Sequence, residues 1–252
     1  MNAEERFQFD LHGYLVVPKI LSATDLEELN HVADDNEGEW KNGMFRTSRV
    51  SRWSPACQAL IDHEKLLPYL EGFLGPWFRI DHDYCIFMSK GSSSGGLHGG
   101  PHPQINAGDH WYQCHNGIIR NGLTVFTFLL TDAPAGAGGF ACVPGSHKSN
   151  FVSDLPTDVR HFDRNANYVC QPVGEAGDLI IFTEALVHGT MPWKADHERR
   201  SFLFKYSPGH SSWASDYYDP DSYPAPVSDR QRRIMAPPFV GGRVNSVSGE
   251  PL

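Results

Sequence analysis

Apolar and polar positions alternate along Phe78-Arg79-Ile80-Asp81-His82-Asp83-Tyr84-Cys85-Ile86-Phe87-Met88, the two-residue period of a β-strand with unlike faces. Further strands are predicted at Gly13-Tyr14-Leu15-Val16-Val17, stopped by Pro18, and over Gly122 to Thr131, where Leu123-Thr124-Val125-Phe126-Thr127-Phe128-Leu129-Leu130 is almost continuously apolar. Phe140-Ala141-Cys142-Val143, Asp178-Leu179-Ile180-Ile181-Phe182 and Ser201-Phe202-Leu203-Phe204-Lys205-Tyr206 complete the set. Before Phe78 the period is helical. Ser22 can cap a helix whose Leu26, Leu29 and Val32 share a face, and Leu60 to Leu74 gives a second helical pattern ended by Gly75-Pro76. Phe7 to Pro18 reads as a short entry segment, and the stretch from Pro220 as loop and surface cover.

Short strands joined by glycine-rich turns, behind two helices, predict a mainly β fold: a double-stranded β-helix (jelly roll, cupin-like) with flanking N-terminal α-helices. The organisation expected is one domain over 1–252. Within it, 1–77 is a helical buttress, 78–210 the jelly-roll core and 211–252 a C-terminal cover. The net charge of −9 argues against nucleic-acid partners and anionic membranes, leaving a small-molecule substrate as the expected partner. Five scattered cysteines without a CxxC pair favour free thiols. The charged N-terminus precedes no apolar run, no stretch reaches the length of a membrane span, and a cytoplasmic location is expected.

Two histidines in glycine-marked settings carry the candidate chemistry. His98 lies in Gly95-Gly96-Leu97-His98-Gly99-Gly100, and His188 in Glu184-Ala185-Leu186-Val187-His188-Gly189-Thr190. Arg199-Arg200 follows the second. Two imidazoles on strands of a closed β fold, with a guanidinium one strand-length beyond, suit a non-haem iron site that holds an α-keto acid. Neighbours on a strand face opposite sides, so only one of Arg199 and Arg200 enters the barrel. Lys90 and Thr124 are candidate further donors to the keto acid. His102, Asp109, His110, Trp111, Tyr112 and His115 are candidates for a lid over the mouth, and His147 reads as structural.

Glu184 interrupts an apolar run four residues before His188, where a carboxylate is costly without a partner. On a straight strand the two would stand roughly 13 Å apart, and a turn at Thr183-Glu184-Ala185 would bring them together. Three roles are open to Glu184: metal ligand, substrate-binding carboxylate, or hydrogen-bond partner of a ligating histidine.

The chain resembles the phytanoyl-CoA dioxygenase family of iron(II)/2-oxoglutarate-dependent oxygenases, from about Phe9 to Tyr206. The most specific match is Gly138-Gly139-Phe140-Ala141-Cys142-Val143-Pro144-Gly145-Ser146-His147-Lys148. Phe9-Asp10-Leu11-His12-Gly13-Tyr14 resembles the family's opening, and Gly177-Asp178 followed by His188-Gly189-Thr190 its distal-histidine segment. The resemblance implies iron(II) and 2-oxoglutarate as cofactors, His98 and His188 as ligands, and Arg199, eleven residues past His188, as the keto-acid arginine. The family writes His-x-Asp at the first ligand pair; this chain writes His98-Gly99-Gly100.

The leading expectation is an iron(II)/2-oxoglutarate oxygenase hydroxylating a small polar metabolite, with Glu184 completing the metal set. A second takes Gly100 at face value, as the opening of a chloride position in a halogenase. A third is a jelly roll that only binds a small molecule.

Overall fold

The computed structural model describes residues 1–101 and 110–251. The chain runs α1 (Ala3–His12), β1 (Tyr14–Val17), α2 (Ala23–Asn36), β2 (Met44–Ser48), α3 (Pro55–Ala59), α4 (Leu67–Leu74), β3 (Phe78–Met88) and β4 (Gly95–His98). It continues through β5 (Tyr112–His115), β6 (Ile118–Asn121), β7 (Thr124–Leu129), β8 (Gly139–Cys142), α5 (Thr157–Arg160), β9 (Leu179–Thr183), β10 (His188–Met191), β11 (Arg199–Pro208) and α6 (Asp229–Met235). Among the described residues, a six-stranded sheet has the order β1-β9-β7-β11-β3-β2 and a three-stranded sheet the order β4-β10-β8, with β5-β6 as a separate hairpin. The strand pairings among the described residues are antiparallel, and the architecture is the mainly β jelly roll with helices that the pattern predicts.

Both faces of the large sheet are covered, each by its own apolar layer. Phe126, Phe128, Phe87, Phe202 and Phe204 pack outward with Phe9, Leu29 and Phe73 of the helices. Tyr84, Met88, Val125, Leu129, Ile180, Phe182 and Leu203 face the opposite way, toward Phe140 and Cys142 on the small sheet. This second layer is the barrel interior, and alternation along each strand decides which side chains enter it.

The helices depart from expectation in three places. The entry segment contains α1, capped reciprocally by Asn2 and Glu5 and closed by Gly13 in the left-handed region. The Leu60–Leu74 pattern is broken, with a 3₁₀ turn at Leu60–Asp62 and a fresh start at α4, where Pro68 occupies the first turn. The C-terminal cover includes α6, capped by Ser228 and Gln231, whose Ile234 and Met235 join the outer apolar layer. No helix among the described residues is long and apolar enough to cross a membrane.

Candidate metal and keto-acid site

β10 lies between β4 and β8, and its register sets His188 directly opposite His98. The two imidazole centroids are 4.4 Å apart. Each ring is oriented the same way: His98 Nδ1 lies 2.8 Å from the Gly96 carbonyl and His188 Nδ1 2.8 Å from the Leu186 carbonyl. A carbonyl can only accept, so Nδ1 carries the hydrogen in both. In the neutral ring, Nε2 is then left as the free lone pair, the arrangement seen in metal-ligating histidines. Burial pushes His188 down to about 4 despite the opposing pull of Glu184, which keeps it neutral at ordinary pH.

The loop after His98 is fastened to the turn before His188. Gly100 N–H donates to the Glu184 carbonyl at 3.3 Å. A Cβ at Gly99 would stand 2.7 Å from the Leu186 oxygen and 2.8 Å from that of Glu184, so only glycine allows this approach. At Gly100 φ is +97°, and a Cβ would meet Val152 Cγ1 at 2.7 Å and Val187 Cγ2 at 3.1 Å. A side chain at position 100 therefore points into the apolar Leu97, Val152, Val159 and Val187 cluster.

Leu186 N–H closes a turn onto the Thr183 carbonyl at 2.9 Å, and this turn brings Glu184 back beside His188. Glu184 Oε2 stands 3.7 Å from Nε2 of both His188 and His110, while Oε1 accepts from Lys205 Nζ at 2.5 Å. Burial opposes ionisation of Glu184, but Lys205, then His188, hold its carboxyl well below the usual range. Burial likewise opposes the Lys205 ammonium, and Glu184 and Tyr84 together more than offset it. Lys205 also lies 5.4 Å from the Tyr84 ring centroid. These groups border a cavity of about 520 Å³, lined by His98, His110, Ser153, Arg160, Glu184, Lys205 and Trp213 among others. His110 stacks on Trp213 at 5.0 Å and 13°.

Arg199, at the start of β11, and Lys205, six residues on, share its inner face. Arg199 is 3% exposed, its Nε has no hydrogen-bond partner, and its Nη1 faces only Met88 Sδ at 3.6 Å. Among the described residues no carboxylate pairs with it. Burial brings its guanidinium down to about 10. Arg200 faces out, into a network with Asp34, Glu37 and Glu198.

Two of the expected donors are elsewhere. Lys90 is on the surface with its ammonium 2.6 Å from Asp196. Thr124 follows the parity of Phe126 and Phe128, away from the interior, and its hydroxyl returns to the Gly122 carbonyl at 3.1 Å. Thr127 has the inner parity instead, and its buried hydroxyl has no partner. Of the lid residues, His102 and Asp109 lie outside the described residues. Tyr112 turns away to Asp10 and His147, and His115 is exposed. His147 is buried with Nε2 3.1 Å from the Asp10 carbonyl, a structural role. Lys205 and Trp213 were not singled out in the sequence. A lysine six residues past Arg199 in an apolar strand was a readable signal, since the even spacing puts both on one face.

Among the described residues no three His, Cys, Asp or Glu side chains are placed as a ready metal-binding group, and Glu184 is paired with Lys205. The donor set nonetheless fits iron(II): two oriented imidazoles and an adjacent carboxylate. The unpartnered, buried Arg199 fits a carboxylate ligand.

The phytanoyl-CoA dioxygenase (PhyH) family model matches residues 82–201, a span that holds both histidines, Glu184 and Arg199. A probable alpha-ketoglutarate-dependent hypophosphite dioxygenase of Stutzerimonas stutzeri is 23% identical over 239 residues, covering 82% of this chain and 79% of that protein. Among solved structures, HygX from Streptomyces hygroscopicus with nickel, 2-oxoglutarate and hygromycin B bound is 22% identical with a TM-score of 0.76, over 84% of this chain and 89% of that one. The non-heme alpha ketoglutarate dependent epimerase SnoN from nogalamycin biosynthesis is 16% identical with a TM-score of 0.64, over 95% of each chain. At these identities the structural likenesses establish the fold.

Proposed function

We propose that this chain, whose residues 82–201 carry the phytanoyl-CoA dioxygenase family core, is a non-haem iron(II)/2-oxoglutarate-dependent oxygenase that hydroxylates a small polar metabolite. The observation that carries the reading is the pairing of two Nδ1-tethered histidines with a buried arginine that, among the described residues, has no carboxylate partner. His98, His188 and Glu184 would hold the metal, and Arg199 would bind the distal carboxylate of the keto acid, with the Thr127 hydroxyl on the same inner face. Iron(II) with 2-oxoglutarate supplies oxygen activation for insertion into a C–H bond.

The protein's own part is placement. Lys205 holds one oxygen of Glu184 and leaves the other toward His188, so the carboxylate offers a single oxygen to the metal. The apolar inner layer excludes water from the keto-acid end. At the mouth, His110, Trp213, Ser153 and the Glu184–Lys205 pair offer polar and aromatic contacts, which favours a polar substrate. HygX, with hygromycin B bound, supports the same choice.

The halogenase reading loses its main support at Gly100. Gly100 lines the cavity with His98 and Glu184, but its positive φ and the approach of a Cβ to Val152 and Val187 give the glycine a structural reason that does not depend on chloride. The non-catalytic reading leaves Arg199 buried without purpose. Anaerobic addition of iron(II) and 2-oxoglutarate together tests the proposal. The weak visible charge-transfer band of their complex is expected, unchanged by chloride. Its absence from fully reduced, iron-loaded protein would remove the assigned site, and a chloride-dependent shift would restore the halogenase.

A further inference from the structure

Beside the histidine strand, with Cys142 in register with His188, two of the five cysteines meet. Cys142 ends β8, one strand from His188, and Cys170 lies in the segment that precedes β9. The two exchange both backbone hydrogen bonds, each 2.9 Å, as a bridged antiparallel pair. Such pairs hold their Cα atoms about 5.5 Å apart, inside the range a disulfide spans. The thiols are in contact, Sγ to Sγ 3.6 Å, and both are free. Tyr14 Oη lies 3.8 Å from Cys170 Sγ.

The two thiols differ in access. Cys142 is fully buried, while Cys170 is partly open and lines a cavity of about 320 Å³ with Gly138, Phe162, Gln171, Met191 and Lys194. The hydrogen bond from Cys142 lowers the Cys170 thiol, against the effect of burial. One sulfur is thus reachable and nucleophilic, and the other is held against it to resolve what forms.

We infer that Cys142 and Cys170 form a reversible oxidation site, at which a peroxide converts the thiol pair to a disulfide. In the first step the Cys170 sulfur attacks hydrogen peroxide, the O–O bond breaks, and sulfenic acid and hydroxide form. The Cys142 sulfur then attacks Cys170, an S–S bond replaces the S–O bond, and the oxygen leaves as water with the thiol proton. The sum is two thiols and one peroxide to one disulfide and two waters, a two-electron exchange. The cross-link ties the segment before β9 to β8, closing a loop between partners 28 positions apart.

The test uses the full chain with a few equivalents of hydrogen peroxide, followed by alkylation and non-reducing peptide mass spectrometry. The expected result is a Cys142–Cys170 cross-linked peptide, loss of two alkylation sites, reversal by dithiothreitol, and a melting temperature roughly 5 °C higher while oxidised. In Cys142→Ser, Cys170 should accumulate a dimedone-reactive sulfenic acid. Cys114→Ser, at an exposed thiol, should leave the cross-link unchanged. Oxidation of Cys114 with the pair still reduced, or passage of Cys170 to sulfinic acid without a cross-link, would overturn the inference. If the Cys142 variant does not fold, the wild-type and Cys114→Ser peptide maps decide the matter. None of these readouts uses iron or turnover, so failure here is distinct from failure of the oxygenase reading.

Discussion

Arg199→Met should raise the stability of the ligand-free protein while abolishing keto-acid binding. The guanidinium is buried, and burial lowers it from 12.5 to about 10. A displacement of that size corresponds to roughly 3 kcal/mol of solvation not recovered by protein partners. Methionine keeps an unbranched stem beside Met88 and Gly139 and removes the charge. Some contact is lost, so a net gain of about 1–3 kcal/mol is expected, or roughly 2–10 °C in melting temperature for a chain of this length. The assay is thermal unfolding with and without 2-oxoglutarate, in the presence of nickel(II) to prevent turnover. At a hundred times its Kd a ligand adds about 2.7 kcal/mol to wild type, and Arg199→Met should show no such shift. Arg200→Met removes an outward cation from Asp34, Glu37 and Glu198. It should cost about 1 kcal/mol and keep the ligand shift. The reasoning is refuted if Arg199→Met lowers apo stability and keeps the shift, or if Arg200→Met loses it.

Three further outcomes follow from the site. Glu184→Gln should weaken nickel(II) binding by calorimetry more than a hundredfold if the carboxylate ligates, against about 10–100-fold for a group acting through a histidine; pairing it with Lys205→Met avoids stranding a buried ammonium, which alone costs roughly 3–5 kcal/mol. Gly100→Asp should lower the melting temperature by several degrees through its positive φ and the Val152 and Val187 contacts, and should not restore a metal ligand; an increase in metal affinity would show that position 100 faces the site. Metal-free protein should lose stability as pH falls from about 6.5 to 4. His188 is held near 4 in the fold, so the unfolded chain binds the extra proton in that window and stability rises with pH, by up to roughly 3 kcal/mol. His147, also held near 4 by burial, acts in the same direction. A denaturation midpoint flat between pH 4 and 6.5 would contradict both assignments.

The strands were legible where their two faces differ or where glycine and proline bound them, as in β3, β1 and β9. The face that looks inward was legible only in part. Arg199 and Arg200 could be separated by parity because they are adjacent and both polar. Thr124 and Thr127 could not, because Leu123 to Leu130 is apolar on both sides and a doubly covered strand hides its inner face. The turn that returns Glu184 to His188 could be anticipated, since a buried carboxylate needs a partner. Its partner could not be named: Lys205 reaches it only because β11 and the Glu184 turn meet in the folded barrel. Helix α1 has one buried residue, Phe9, so its periodicity is faint, and the Asn2–Glu5 capping pair and Gly13 at its end are what mark it. Trp213 lines the cavity from a segment after β11 with no strand or helix of its own, which leaves no periodic trace.

The strand order of the large sheet also bears on how the protein is made. β1 is completed within the first twenty residues, yet its partner β9 begins at Leu179. β4 likewise waits for β10 before His98 faces His188. A growing chain therefore carries apolar strands with open edges for long stretches, and the small sheet cannot close until β10, nor the large one until β11, has left the ribosome. Such non-local pairing predicts slow refolding, on the millisecond-to-second scale or longer. The two imidazoles come together only when the small sheet forms, so metal should hold the finished barrel against unfolding without hastening its assembly.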